Sequence, residues 1–152
     1  MSEQFSEIII REMRESDILS VMQIAEICRL ANWTKNSYEQ ELSSANSRSI
    51  IAFCNLEIIG FVIARLLMEQ LEILNIAVLP GYRRKKIGES LLHQILEIGQ
   101  LSGASECWLE VREKNELAQN FYLANNFKRT GKRLNYYVNP TDHAILMTLN
   151  FF

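Results

Sequence analysis

The stretch "LNIAVLPGYRRKKIGESLL", residues 74–92, joins a short apolar run to a helical repeat through a turn with four consecutive cations. Pro80 and Gly81 end the apolar run, and a 3.6-residue apolar period begins at Ile87. A strand, a turn and a helix in that order direct the free backbone N–H groups of the first helical turn outwards, where they bind phosphate. The segment therefore predicts an α/β fold with a phosphate-binding turn near its centre.

The cations of this turn are open to more than one interpretation. Each of Arg83, Arg84, Lys85 and Lys86 can add a charge-assisted bond to a phosphate oxygen, and Gly88 allows a ligand to approach the backbone closely. A solvated basic turn explains the same residues equally well. A nucleic-acid patch has less support, because no aromatic residues alternate with the cations and the net charge of the chain is -2.

Composition places the chain among globular proteins. The 152 residues, 48% hydrophobic and 22% charged, suit one domain, residues 1–152, with a sizeable core. Cys28, Cys54 and Cys107 form no CxxC pair, so we expect reduced core cysteines and no metal. The sequence begins without a basic leader pattern and has no apolar run of the ~18 residues that a membrane span needs, which predicts a cytoplasmic protein with no membrane partner.

Patterns upstream of the turn predict two helices and four strands. A β-branched strand at 7–13 precedes a helix at 16–30 capped by Ser16 or Asp17. A short helix at 36–44 has Ser37 and Gln40 spaced as a capping box. Two apolar runs form a hairpin that turns at Asn55, and a third strand at 70–78 follows.

Downstream of the turn the pattern alternates between helix and strand. A helix runs from Ile87 to about Leu101 with a stop at Gly103, and a buried strand at 106–111 comes next. A helix at 115–126 ends with Asn126 in the left-handed conformation, and two strands close the chain. The predicted fold is α/β, with a mixed and largely antiparallel central sheet flanked by helices.

Two segments carry a resemblance to a known family. Residues 74–92 resemble the acetyl-CoA motif of the GNAT acetyltransferase superfamily, in which Arg/Gln-x-x-Gly-x-Gly/Ala follows a strand. "CWLEVREKNELAQNFYLANNF", together with "NYY" before "AILM", resembles the RimI branch, which acetylates the N-terminal alanine of a small-subunit ribosomal protein. The resemblance implies an N-acetyltransferase that uses acetyl-CoA and acts on a protein or peptide N-terminus.

The sequence departs from the family pattern at two positions. Arg83 takes the Arg/Gln position and Gly88 the last small position, but Lys86 stands where the family has its first glycine. A side chain at 86 crowds the diphosphate or resists a positive φ, unless its ammonium group pairs with phosphate instead. The second departure is "NNF" in place of Gly-Phe, which Asn126 can accommodate.

Acetyl transfer requires a neutral amine, and a free α-amino group has a pKa near ~8, so a base is needed. Glu110, at the end of a predicted buried strand, matches the general base of the RimI branch; the alternative is a structural carboxylate paired with Arg112 or facing solvent. A phenol can protonate the departing thiolate, and Tyr122 matches the family's general acid. The alternative for Tyr122 is a core aromatic residue.

The remaining cofactor contacts follow from the resemblance. In the superfamily the strand that carries Val78 splays from its neighbour, so the pantetheine arm pairs with main-chain groups and the Val78 N–H faces the thioester oxygen. An ordinary paired strand is the alternative. Asn115 matches a cofactor contact and equally suits the N-cap of its own helix. The predicted cofactor-binding residues are Ile76, Ala77, Val78, Arg83, Arg84, Lys85, Lys86, Ile87, Gly88, Glu89, Asn115 and Tyr122.

Aromatic residues mark the expected acceptor groove. Trp33, Tyr38, Tyr136 and Tyr137 lie in segments that flank the acceptor in related enzymes, and Trp33, Tyr136 and Tyr137 are the predicted substrate-binding residues. Two other functions stay open: a GNAT acetyltransferase for a small-molecule amine, and a non-catalytic CoA-binding module. None of the three requires nucleic acid, and the sequence carries no signal for an oligomeric state.

Overall fold

A computed structural model describes residues 7–30 and 33–152 of the chain, which form one seven-stranded sheet. The strand order is β1-β2-β3-β4-β5-β7-β6, and every neighbouring pair is antiparallel except β4 with β5. The strands are β1 (Ile9–Glu12), β2 (Ile50–Cys54), β3 (Glu57–Leu67), β4 (Gln70–Val78), β5 (Glu106–Arg112), β6 (Lys128–Tyr137) and β7 (Asp142–Asn150). The described α-helices are α1 (Ile18–Ile27), α2 (Lys35–Ser43), α3 (Ile87–Leu101) and α4 (Glu116–Ala124).

The sheet buries one apolar cluster on each face. Helices α3 and α4 pack on one face, against residues such as Val62, Leu71 and Leu109. Helices α1 and α2 pack on the other face, against residues such as Phe61 and Ile63. Alternate residues of each strand point to opposite faces, so both clusters draw on the same central strands. The predicted element order and the mixed, largely antiparallel sheet are confirmed.

The predicted turns are confirmed in detail. Asn55 and Leu56, between β2 and β3, have φ of 50° and 64°, the two positive values of a two-residue hairpin turn. Asn126 follows α4 with φ of 72°, and Gly103 follows α3 with φ of 98°. These positions end their elements where the side-chain chemistry predicted it.

The expected side-chain cap bonds at the starts of α1 and α2 do not form, although Asp17 stands at the N-cap position of α1. Thr34, and not a box of Ser37 and Gln40, caps α2, because its side chain accepts the backbone N–H of Ser37 at 3.1 Å. Neither candidate cap of α1 forms a side-chain hydrogen bond to that helix. The Asp17 carboxylate instead accepts the N–H of Arg14 at 2.8 Å and pairs with the guanidinium of Arg11 in β1. The competing partners, Thr34 for α2 and the N–H of Arg14 for Asp17, lie three residues from the groups that they bond and just outside the predicted helix spans.

The parallel pair of strands separates halfway along. Residues 70–73 of β4 pair with residues 106–109 of β5, and the register between the two strands ends at Ile73 and Leu109. A bulge in the β3–β4 ladder between Ile63 and Ala64 falls at the same level. Bulges increase the local bend and twist of a strand, so the ends of β4 and β5 diverge and leave a gap between them. An ordinary paired strand is therefore excluded for the end of β4.

Candidate functional site

The edge of β4 presents main-chain groups to the gap. The N–H of Leu79 donates to the carbonyl of Ile59 at 2.8 Å, and Gly60 lies opposite Val78 in the ladder. Hydrogen-bonded and non-hydrogen-bonded pairs alternate along an antiparallel ladder, so Gly60 and Val78 form a non-hydrogen-bonded pair. The N–H and C=O of Val78, and by the same alternation those of Ile76, therefore point away from β3 and into the gap. Ala77, between them, directs its main-chain groups to β3.

The turn between β4 and α3 presents free amide groups. Among the described residues, no acceptor takes a hydrogen bond from the backbone N–H of any residue in 84–89. Arg84 and Lys86 both have left-handed backbones, with φ of 64° and 60°. Lys86 thus keeps a positive φ despite its side chain, at a cost of about 1–2 kcal/mol. Ile87, Gly88 and Glu89 follow as the first turn of α3, with their N–H groups at the positive end of the helix dipole.

The side chains of the turn have different surroundings. Arg83 donates from Nε to the carbonyl oxygen of Val78 at 3.2 Å. The ammonium group of Lys85 lies 5.6 Å from the centre of the Tyr82 ring. Gly88 is not crowded, since a Cβ there would make only an ordinary van der Waals contact, 3.8 Å from Val78 Cγ2. The turn therefore combines free amides, exposed cations and room for a ligand.

Glu110 stands at the edge of the gap. Its side chain is 13% exposed, with Oε1 3.6 Å from Nη2 of Arg133. Its Oε2 is buried and has no hydrogen-bond partner among the described residues. The alternative pairing with Arg112 is wrong, because that guanidinium lies 4.5 Å from the centre of the Tyr137 ring and donates to the carbonyl of Pro140 at 2.8 Å. A buried, unpartnered carboxylate oxygen is a strong acceptor for a water or an amine.

Tyr122 lies across β5 from Glu110. Leu109 and Val111 of β5 belong to the cluster under α3 and α4, so Glu110 between them points to the opposite face. Tyr122 is 6% exposed in that same α3–α4 cluster, with its ring 5.5 Å from that of Phe127. Burial raises the pKa of Tyr122, so its phenol holds its proton throughout the neutral range. The two predicted catalytic side chains thus lie on opposite faces of the sheet.

The tyrosine pair adjoins Glu110. The rings of Tyr136 and Tyr137 meet edge to face at 5.0 Å, and the guanidinium of Arg133 lies 5.5 Å from the centre of the Tyr136 ring. The negative charge of Glu110 raises the pKa of Tyr136. Burial, and to a smaller extent the charge of Glu110, raises the pKa of Tyr137 to about 12. The predicted "NYY" residues therefore lie beside the carboxylate.

Trp33 and Asn115 lie apart from these groups. Trp33 lines a cavity of about 350 Å³ together with residues of α2 and β3. Tyr38 is 1% exposed in the α1–α2 cluster and is a core residue, which corrects its assignment to the acceptor groove. The Asn115 side chain caps α4 by accepting the N–H of Ala118 at 3.1 Å, so the N-cap alternative is seen.

The structure adds charged residues that the pattern analysis missed. Arg65 of β3 pairs with Glu41 of α2 at 3.0 Å and lies opposite Glu72 of β4 in the ladder. Burial raises the pKa of Glu72, with the Arg65 charge opposing and the Glu110 charge adding. We call Glu41, Arg65, Glu72, Glu110 and Arg133 the charged row. The sequence signal for these residues is a single charged residue inside an apolar strand, as in "VIARLL" and "LEIL".

The row lies on one face of the sheet. Arg65, Glu72 and Glu110 alternate along their strands with members of the α3–α4 cluster, and Glu41 reaches the row from α2, so the row faces the α1–α2 side. Arg133 joins it through its ion pair with Glu110. At one end of the row, Glu41 and Arg65 also line the Trp33 cavity. At the other end, the guanidinium of Arg133 lies next to the ring of Tyr136.

Comparisons with known proteins agree with this geometry. The sequence model of the Acetyltransferase (GNAT) family matches residues 18–127. A [ribosomal protein bS18]-alanine N-acetyltransferase of Haemophilus ducreyi is 28% identical over 150 residues, 93% of this chain and 99% of that protein. A spermidine N(1)-acetyltransferase of Thermoplasma acidophilum is 30% identical over 108 residues, 65% of this chain and 67% of that protein.

A solved structure has the same fold. The crystal structure of the ribosomal-protein-S18-alanine N-acetyltransferase from Escherichia coli superposes with a TM-score of 0.88. The match covers 95% of this chain and 94% of that one at 24% identity, a level at which the likeness concerns the fold. No helix in the part of the chain that the structure describes has the length and apolar character to cross a membrane.

Proposed function

The chain belongs to the GNAT acetyltransferase family, and from this premise we propose that it acetylates the N-terminal amine of a protein, with an alanine of a ribosomal protein as the preferred acceptor. Members of the family take the acetyl group from acetyl-CoA. We assign this activity to one domain, residues 1–152. A ribosomal acceptor implies action in the cytoplasm, where such proteins are made.

Acetyl-CoA fits the turn and the gap. The free amides of residues 84–89 and the cations of 83–86 suit a diphosphate, which prefers backbone N–H groups at the start of a helix. The main-chain groups of Ile76 and the N–H of Val78 suit the amides of an extended pantetheine arm, which would lie in the gap as an added strand. Asn115 and the Tyr122 hydroxyl complete the proposed cofactor contacts.

The proposed chemistry is direct transfer. Glu110 takes a proton from the acceptor ammonium, directly or through a water, and the freed amine attacks the thioester carbon. The N–H of Val78 stabilises the negative charge that develops on the thioester oxygen. As the carbon–sulfur bond breaks, the phenol of Tyr122 donates its proton to the departing sulfur, and CoA leaves as a thiol. The attacking nitrogen loses its remaining proton to water, and solvent then returns a proton to Tyr122 and takes the one held by Glu110. The unpartnered Oε2 of Glu110 beside the gap is the observation that carries this proposal.

The charged row favours a peptide acceptor. Trp33 lies at one end of the row and the Tyr136–Tyr137 pair at the other, so an extended chain could cross the row with its amine at Glu110. A small amine is the second candidate, because a spermidine acetyltransferase is among the relatives and the row holds three carboxylates. The non-catalytic hypothesis conflicts with a proton acceptor and a proton donor on the two sides of one gap.

Thiol release from acetyl-CoA tests the function. We expect rapid release with a peptide that begins with alanine, and slow release with the same peptide acetylated at its N-terminus or with spermidine. Tyr122→Phe should lower kcat by about tenfold or more, because it removes the proton donor and keeps the ring. Faster release with spermidine than with the peptide would overturn the peptide assignment, and CoA binding without any release would overturn the enzyme assignment.

A further inference from the structure

Arg83, the first cation of the turn, is already engaged by the protein itself. Its Nε donates to the carbonyl oxygen of Val78 at 3.2 Å, and its Nη2 donates to the Sγ of Cys28 at 3.5 Å. The thiol of Cys28 in turn donates to the same carbonyl at 3.5 Å. These three contacts form a closed ring, which we call the Val78 clamp.

The clamp holds a peptide group at the mouth of the gap. The carbonyl of Val78 belongs to the peptide whose N–H, on Leu79, donates to Ile59 at 2.8 Å. That peptide is therefore fixed at both ends, by β3 on one side and by the clamp on the other. A carbonyl oxygen has two lone pairs, and the guanidinium and the thiol use both of them.

Three segments meet in the clamp. Cys28 is the C-cap of α1, Val78 is the last residue of β4, and Arg83 opens the turn that leads to α3. The half-buried Cys28 thus differs from Cys54 and Cys107, which are buried in the core as predicted. The clamp sets the direction in which the turn leaves the strand, and with it the position of the free amides.

The next three cations differ from Arg83. The side chains of Arg84 and Lys86 are exposed and make no hydrogen bond or ion pair within 7–30 and 33–152, and Lys85 contacts only the ring of Tyr82. Each of these three can turn to a phosphate without breaking a protein hydrogen bond. Arg83 would have to break two.

We propose that Arg83 is a positioning residue of the cofactor site, which acts through the carbonyl of Val78, and that the charge on the diphosphate is met by Arg84, Lys85 and Lys86. The inference rests on the proposed acetyl-CoA site. Planar guanidinium geometry is essential to it, because Nε and Nη2 serve two partners from one rigid fork. A lysine at 83 keeps the charge but cannot reproduce that fork.

The first experiment compares two neighbouring arginines. The dissociation constant of CoA is measured by calorimetry at low and high salt for Arg83→Lys, Arg83→Ala, Arg84→Lys and Arg84→Ala. We expect both Arg83 variants to bind CoA about fivefold or more weakly, the equivalent of one or two lost hydrogen bonds, with the salt dependence of the wild type. We expect Arg84→Lys to bind like the wild type, and Arg84→Ala to bind more weakly with a shallower salt dependence.

The second experiment uses the thiol. Cys28→Ala should weaken CoA binding about threefold to fivefold. Cys28→Ser should bind CoA like the wild type, because a hydroxyl donates and accepts in the same place. In the Arg83→Ala background, Cys28→Ala should weaken CoA binding no further. Wild-type CoA affinity in Arg83→Lys, together with a shallower salt dependence in Arg83→Ala, would overturn the inference and make Arg83 a phosphate ligand. Failure of the wild-type protein to bind CoA would instead overturn the proposed site.

Discussion

The two ends of β4 have different neighbours and different consequences. The first end, residues 70–73, is paired on both sides, with β3 and with β5, and packs under α3. The second end, residues 74–78, is paired with β3 alone and presents its other edge to a gap. One strand therefore serves as core at its first end and leaves a main-chain edge unpaired at its second.

The comparison teaches where substitutions should affect stability and where they should affect activity. Full pairing and close packing leave no room for change at the paired end. At the open end, a carboxylate oxygen and the amides of residues 84–89 lack protein partners among the described residues, as the proposed acetyl-CoA site requires. Three pairs of substitutions test this division.

The largest effect is expected from Glu110→Gln at the open end. Loss of the proton acceptor should lower kcat by about 10²–10⁴-fold, while the melting temperature stays close to that of the wild type. Steady-state kinetics with an alanine peptide and a thermal melt measure the two quantities. Glu113→Gln is the matched control, because Glu113 pairs with Lys132 at 2.8 Å outside the gap, and it should keep its kcat. Equal kcat values for the two variants would remove Glu110 as the base.

Two glycines of α3 separate the two ends directly. A Cβ on Gly99 would lie 2.6 Å from Cδ2 of the fully buried Leu71, at the paired end. Overpacking by Gly99→Ala should therefore lower the free energy of unfolding by about 1–3 kcal/mol. The higher helix propensity of alanine should offset about 1 kcal/mol of that loss. Activity per folded molecule should be unchanged.

Gly88 is the counterpart at the open end. A Cβ there meets nothing closer than 3.8 Å, so Gly88→Ala should leave stability equal or higher and raise the KM for acetyl-CoA by crowding the ligand. Urea denaturation and initial rates measure both properties for both variants. A destabilised Gly88→Ala with normal KM, or an inactive but stable Gly99→Ala, would break the division between the two ends.

The smallest effect is expected at Lys86. Lys86→Gly relieves the left-handed backbone and should raise the free energy of unfolding by about 0.5–1 kcal/mol. Its KM for acetyl-CoA should change, with turnover retained. Lys86→Ala keeps the strained backbone and removes the ammonium group, so a KM change shared by both variants would assign the effect to the ammonium group, and a change confined to Lys86→Gly would assign it to the backbone. Complete loss of turnover in Lys86→Gly would contradict the prediction that the turn tolerates substitution at this position.

Local chemistry predicted most of the elements because their signals are local. The paired positive φ values at Asn55 and Leu56, and the left-handed Asn126, follow from what each residue allows its own backbone. The cap bonds expected of Ser37 and Asp17 do not form, because short polar side chains have several nearby backbone groups within reach and the sequence pattern alone does not choose among them. Helix ends are thus less predictable than helix existence.

The candidate site divides in the same way. Resemblance and chemistry singled out Glu110, Tyr122 and the turn, and those roles stay predictions that the proposed variants test. The charged row was missed, because its members come from α2, β3, β4, β5 and β6 and only the folded sheet makes them neighbours. The engagement of Arg83 with Val78 and Cys28 was invisible for the same reason.

By itself the sequence determined the alternation of strands and helices, the two-sided core and the amide-rich turn, since each depends on periodicity or on the conformational preference of single residues. The tertiary structure alone decided that β4 and β5 part after Ile73 and Leu109, that Glu110 and Tyr122 lie on opposite faces of the sheet, and which cation of the turn is held by the protein. Those features depend on contacts between residues distant in the chain, and no local pattern encodes the direction in which two strands diverge.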